Sequence, residues 1–284
     1  SKGSAYVFER NTDGSWNQLQ KLVAPEDDRA NGDSFGNSVS IDNNYAIVGV
    51  SRDDSSKGSA YVFERNTDGS WNQVQKLVAN DGSGNDRFGR SVAINNNYAI
   101  VGAYYDDDEK GSAYVFERNT DGSWNQVQKI VADDREQYDY FGLSVSIDNN
   151  YAIVGAYGDD SKGSAYIFER NTDGSWNQVQ KIVANDGSGN DYFGLSVSID
   201  NNYAIVGAPS DDISGVTNVG SAYVFERNTD GSWNQVQKLV TNDGSGNDYF
   251  GRSVAIDNSY VIVGAYGDDI SGVTNVGSAY VFER

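Results

Sequence analysis

The sequence predicts an all-β fold: a five-bladed β-propeller of four-stranded antiparallel blades, its ring closed by N- and C-terminal strands with one surplus strand. Three observations predict it. The octapeptide GSAYVFER starts at Gly3, Gly58, Gly111, Gly220 and Gly277 and recurs as GSAYIFER from Gly163, so one unit of 52 to 57 residues is copied end to end. Trp16, Trp71, Trp124, Trp176 and Trp233 keep the same beat, as does a Phe-Gly pair at Phe35, Phe88, Phe141, Phe193 and Phe250. Within each unit, runs rich in Val, Ile, Tyr, Phe and Trp are bounded by Gly, Asn, Asp and Ser, with two prolines in the whole chain and no helical apolar period.

Residues 88–131 show the elements in order. Phe88 to Ile94 alternates large and small residues as a first strand, and Asn95-Asn96-Asn97 turns tightly into a second strand, Tyr98 to Ala103. An acid-rich loop, Tyr104 to Lys110, leads to the third strand, Gly111 to Arg118, and Asn119-Thr-Asp-Gly122 turns into the fourth, Ser123 to Val131. Such a sheet is apolar on both faces and must be covered on both, which radial repetition of blades achieves without helices. Small residues on the first strand (Gly89, Ser91, Ala93) suit the crowded centre, and the bulky Tyr114, Phe116 and Trp124 suit the outer gap between blades.

In strand order the chain reads third and fourth, then four complete sets of four, then first, second and third. Blades are expected at 35–78, 88–131, 141–183 and 193–240, with a closing blade from 250–284 plus 1–24, the whole of 1–284 forming one domain. One copy of GSAYVFER is in excess, so either a monomer or a strand-exchanged oligomer is consistent with the count.

Composition narrows the chemistry. With no Cys and no His, disulfides, thiolate metal sites and the commonest general base are all missing, and the chain reads as a non-enzyme. A hydrolase would need a carboxylate pair in a pocket that no sequence feature locates. A net charge of −20 makes nucleic acid a poor partner, and no apolar run reaches the ~20 residues that span a bilayer. Ser1 opens inside a repeat and no Met occurs, as expected of a segment of a longer chain with any signal peptide outside it.

Most of the 41 acids fall in the loops between second and third strands and between fourth and first, which emerge on one face. That face is the expected ligand face, for a cation, a basic group or an extracellular protein or glycan, weighed against a merely solvated surface. Within it, Asn-Asp-Gly-Ser-Gly-Asn-Asp recurs at 80–86, 185–191 and 242–248. The spacing of Asp81, Ser83, Asn85 and Asp86, of Asp186, Ser188, Asn190 and Asp191, and of Asp243, Ser245, Asn247 and Asp248 makes them candidate Ca²⁺ ligands, although the same residues form Asx turns unaided. Tyr104, Tyr105, Tyr157 and Tyr266 stand beside Asp107, Asp160, Asp212 and Asp269, a pairing of ring faces and carboxylates that suits sugar binding. The turn Asn-Thr-Asp-Gly-Ser-Trp lacks the spacing of a sialidase Asp-box, and its Trp is expected to pack between blades.

FGRSVAI with YAIVGAY in residues 88–104, and FGLSVSI with YAIVGAP in 193–209, resemble the FG-GAP repeat, the blade unit of integrin α-subunit propellers and of many bacterial surface and secreted proteins. The resemblance covers every repeat. It implies an extracellular or cell-surface setting and a non-enzymatic binding or adhesion module. The integrin calcium loop lies between the FG and GAP strands, where this chain has only Asp148-Asn149-Asn150 or Asp42-Asn43-Asn44, so that site does not carry over. Two other functions remain open at this level: a lectin-like propeller, and a purely structural scaffold, recently amplified or engineered.

Overall fold

The computed structural model describes residues 2–257 and 259–283; Ser1, Asn258 and Arg284, all within the expected closing blade, lie outside it. The chain opens with β1 (Ala5–Arg10) and β2 (Trp16–Leu22), paired with each other. Blade one follows as β3 (Ser38–Asp42), β4 (Tyr45–Val50), β5 (Ser59–Arg65) and β6 (Trp71–Leu77), and blade two as β7 (Ser91–Asn95), β8 (Tyr98–Ala103), β9 (Ser112–Arg118) and β10 (Trp124–Ile130). Blade three is β11 (Ser144–Asp148), β12 (Tyr151–Ala156), β13 (Ser164–Arg170) and β14 (Trp176–Ile182); blade four is β15 (Ser196–Asp200), β16 (Tyr203–Ala208), β17 (Ser221–Arg227) and β18 (Trp233–Leu239). The last sheet holds β19 (Phe250–Asp257), β20 (Tyr260–Ala265) and β21 (Ser278–Glu283). All ladders in these sheets are antiparallel, and the first strands of successive blades touch one another around the axis. The fold is the five-bladed propeller of four-stranded blades that the repeats require, with the closing blade divided between the two termini.

Side-chain alternation explains the stacking. On β9, Ala113 and Val115 face blade three, while Tyr114 and Phe116 face blade one; all four are buried. Each blade therefore presents a bulky face to its predecessor and a small face to its successor, so large residues interdigitate with small ones and the gap fills to interior density. Phe141 meets Tyr166 at 5.6 Å and Phe168 at 6.0 Å between ring centroids, edge to face, and the same geometry recurs at Phe88 and Phe193.

Two repeated contacts stitch one blade to the next. The side chain of Gln75 donates to the Trp124 carbonyl at 2.7 Å and accepts from the Trp124 amide at 2.8 Å; Gln20 with Trp71, Gln128 with Trp176, and Gln180 with Trp233 do the same. The Phe-Gly pair is the second contact. In blades one to four it precedes the first strand rather than opening it, because Phe88 forms a parallel bridge with Gly58 of the preceding blade. Gly58 has φ +87°, and a Cβ there would stand 1.9 Å from the Phe88 carbonyl oxygen, so only glycine allows the two backbones to meet. The Asp-Gly turns are not type I′, since Gly122 has φ +88° while Asp121 does not enter the left-handed region.

The termini meet this scheme from opposite sides. Viewed from blade one, β1 and β2 already occupy the third and fourth positions of the closing blade: Val7, Leu22 and Ala24 cover Tyr61, Phe63 and Trp71, and Gln20 clasps Trp71. From blade four, β21 fills the third position beside β20, with Ala279 opposite Gly264. The surplus copy thus takes the slot next to Tyr260–Ala265, and no ladder joins β1 or β2 to β19–β21 among the described residues. In consequence Val39 and Ile41 of β3 are both 59% exposed, whereas their counterparts Val92 and Ile94 are buried. A groove of about 490 Å³ opens there, lined by Tyr6, Phe8, Val39 and Ile41 among others.

Candidate ligand site where the blades converge

The acid-rich loops are braced by a cluster repeated in each complete blade. A fourth-strand lysine reaches up between two aspartates from successive loops: Lys76 to Asp28 (2.7 Å) and Asp53 (2.8 Å), Lys129 to Asp81 and Asp106 (2.6 Å each), Lys181 to Asp134 (2.7 Å) and Asp159 (2.6 Å), and Lys238 to Asp186 (2.6 Å) and Asp211 (2.7 Å). A buried tyrosine hydroxyl, Tyr61, Tyr166 or Tyr223, donates to the same carboxylates. Burial pushes Asp81 toward the neutral form, but the hydrogen bond from Lys129 and the lysine charge outweigh it and hold its pKa below the usual carboxylate value.

The residues expected to hold Ca²⁺ therefore have other work. At 80–86 and 185–191 the cation between the carboxylates is a lysine ammonium. In the third loop, Asp243 and Asp268 share the Tyr280 hydroxyl, at 3.1 and 3.0 Å. Asp86, Asp191 and Asp248 are buried and close the turn by accepting the amides of Ser83, Ser188 and Ser245 at 2.5 Å, while Asn85, Asn190 and Asn247 adopt positive φ within it. Among the described residues, no group of three or more His, Cys, Asp or Glu is placed to hold a metal ion.

Asp139 closes the corresponding turn in blade three, accepting the Glu136 amide at 2.5 Å. Burial, against that hydrogen bond and with the charge of Asp159 adding to it, pushes its pKa up to about 6. A carboxyl whose pKa rises on folding contributes stability below its unfolded value of 3.8, and that contribution is lost as pH rises through about 6. Asp139→Asn keeps an acceptor without the charge, so its melting temperature relative to the parent should climb between pH 4 and pH 8. A difference that stays constant over this range would show that Asp139 is not protonated in the fold.

The tyrosines are where the structure adds most. Tyr104, Tyr105, Tyr157 and Tyr266 come together in one depression of about 470 Å³ where four blades converge, joined by Tyr192, Tyr249, Leu143, Leu195, Pro209, Ser210, Arg90 and Arg252. Their rings form a chain: Tyr104 lies 4.1 Å from Tyr105, Tyr105 5.8 Å from Tyr140, Tyr140 stacks on Tyr157 at 5.1 Å and 11°, and Tyr157 meets Tyr192 edge-on at 5.6 Å. Tyr249 stacks on Tyr266 at 5.0 Å and 10°. Tyr140, Tyr192 and Tyr249 all precede a Phe-Gly pair and hold φ between +56° and +59°, as Ser34 and Arg87 do at +67° and +62° at the same position, so the repeated turn sets this backbone. Burial, and then the influence of neighbouring tyrosines, raises the pKa of Tyr104 and Tyr157, so both phenols stay neutral and serve as hydrogen-bond donors near neutral pH.

The acids grouped with these tyrosines stand elsewhere. Asp107 pairs with Arg135 at 2.9 Å in an adjoining cleft with Asp106 and Lys129; Asp160 is exposed; Asp212 and Asp269 accept the amides of Asn218 and Asn275 in their own loops. None lines the tyrosine depression. Sequence reasoning missed Tyr192, Tyr249, Arg90 and Arg252. The signal for them lay in the few positions that vary between near-identical repeats: the residue before Phe-Gly is Ser34, Arg87, Tyr140, Tyr192 or Tyr249, and the one after is Asn37, Arg90, Leu143, Leu195 or Arg252.

A ring of four-stranded blades with one aromatic depression near its axis defines a propeller of the binding or structural class. The chain belongs to the FG-GAP repeat family, whose repeat model matches residues 16–63, 71–116, 124–168, 176–225 and 233–282. Comparison with curated proteins gave no match. Among the described residues, no helix is long and apolar enough to cross a membrane.

Proposed function

We propose that the chain is a non-enzymatic, extracellular binding module of the adhesion type whose ligand seat is the tyrosine depression, and that the ligand it takes there is a sugar. The observation that carries this reading is the set of tyrosines, Tyr104, Tyr105, Tyr157 and Tyr192 with the stacked pair Tyr249 and Tyr266, that lines a cavity of about 470 Å³, within the ~300–1,000 Å³ range of small-ligand sites. Ring faces receive the C–H side of a pyranose, and neutral phenols hydrogen-bond its hydroxyls. The family supports the rest: FG-GAP repeats are typically extracellular and non-catalytic. In binding measured by calorimetry with the glycans selected on an array, Tyr157→Ala should weaken affinity about thirtyfold, the ~2 kcal/mol typical of an aromatic hot spot. Asp107→Ala should leave it unchanged. The opposite pattern would move the ligand face to the acid-rich loops, and silence across the array would favour a scaffold.

A further inference from the structure

We infer that the tyrosine depression selects anionic saccharides, sugars carrying sulfate or carboxylate, through Arg90 and Arg252. This rests on the sugar-binding reading above and names its ligand class. In a chain with 41 acids and 21 basic residues, the depression is lined by two arginines and by no Asp or Glu. Acids crowd the neighbouring cleft lined by Asp86, Asp106, Asp107, Asp108 and Glu109, so the two arginines give this lining a charge opposite to that of its surroundings. Neither guanidinium has an ion pair or a side-chain hydrogen bond among the described residues, in contrast to Lys76, Lys129, Lys181 and Lys238, each held between two carboxylates. Both arginines occupy the position after Phe-Gly, which is Leu143 and Leu195 in the two blades between them. The Arg90 charge reaches the Tyr104 phenol, and both residues line the depression. A planar fork of donors next to stacked rings recognises an oxyanion on a ring substituent, a geometry that a lysine would not supply.

The net charge of −20 repels anions at long range, but over distances beyond ~8 Å that repulsion is screened at 0.15 M salt, whereas contacts inside the depression are not. The test uses dextran, dextran sulfate, polygalacturonate and poly-L-glutamate as probes of the intact chain at 0.15 M NaCl. Dextran sulfate or polygalacturonate should bind at least tenfold more tightly than dextran. Arg90→Leu with Arg252→Leu should erase that preference, bringing dextran sulfate and polygalacturonate down to the affinity of dextran for the same variant; leucine already stands at this position in two blades, so the fold should tolerate it. Arg227→Leu, which removes a charge held by Asn202 on the opposite face, should change nothing. Equal binding of dextran and the charged glycans overturns anion selection and leaves the sugar site standing. Poly-L-glutamate binding as tightly as the glycans overturns the saccharide class, an unaltered preference in the double variant overturns the role of the arginines, and absence of all binding overturns both this inference and the site it rests on.

Discussion

Deleting residues 277–284 is expected to leave a folded monomer with its Trp emission shifted to the blue, whereas deleting residues 1–24 should produce aggregates. The two copies β1 and β21 compete for one place beside β20, and in this structure β21 holds it. Once β21 is removed, β1 can enter the slot with β2 outside it, and three contacts seen in other blades become available. Lys21 would reach Asp243 and Asp268 as Lys238 reaches Asp186 and Asp211. Gln237 would clasp the Trp16 backbone, and Tyr203 would meet the Trp16 ring as Tyr151 meets Trp233 at 5.9 Å. Trp16 is the reporter, being 63% exposed while the other four tryptophans are 1–4% exposed. The larger deletion instead strips Val7, Leu22 and Ala24 from Tyr61, Phe63 and Trp71, opening an apolar face and unpaired edges that invite association. A monodisperse, equally stable product of the larger deletion would sink closure by joined termini.

Lys129→Met should destabilise the chain by about 3 kcal/mol, the low end for breaking a buried ion pair because the ammonium side chain is partly exposed. Its loss leaves Asp106, whose side chain is 8% exposed, and Asp81 facing each other without a cation. Adding Asp106→Asn removes one of those charges and should recover most of the loss. Because the pKa of Asp81 is lowered by folding, the stability it contributes is present above its unfolded value of 3.8 and disappears as pH falls through the folded value. The penalty of Lys129→Met should therefore be full at pH 7 and shrink as pH falls below 3.8. A penalty independent of pH would assign the lysine a packing role through its aliphatic stem, which crosses the Tyr114 ring with the ammonium 5.4 Å from the centroid.

Much of the fold was legible because identical repeats state the same pattern several times. The second strand, Tyr98–Ala103, has the boundaries expected of the hairpin, the third is one residue shorter at its start, and the fourth is one residue shorter at each end. The first strand is shorter than its alternation suggests, since Phe88-Gly89 bridges to another blade, and a contact across blades leaves no mark in local periodicity. The lysine clusters were hidden for the same reason: Lys129 and Asp81 are 48 residues apart, so their meeting depends on how blades stack. Of the candidate ligand site, the tyrosines that follow three of the four Gly-Ala pairs ending a second strand were legible from composition. Their partners before each Phe-Gly pair were not, because they lie in loops that run separately in sequence and converge only at the axis.

The offset between repeat and blade has a further consequence. Each matched unit begins at a fourth-strand Trp and ends in a third strand, as in residues 71–116, so its first strand completes the preceding blade and the other three build the next. Gain or loss of one whole unit through recombination between such similar copies changes ring size by one blade while leaving every internal seam intact. The unit contributes its own lysine, glutamine and tryptophan to the blade behind it and receives theirs from the unit ahead. Circumference can thus drift in single steps with no intermediate that carries a half-built blade, while the few variable loop positions diverge independently and set what each ring size can hold.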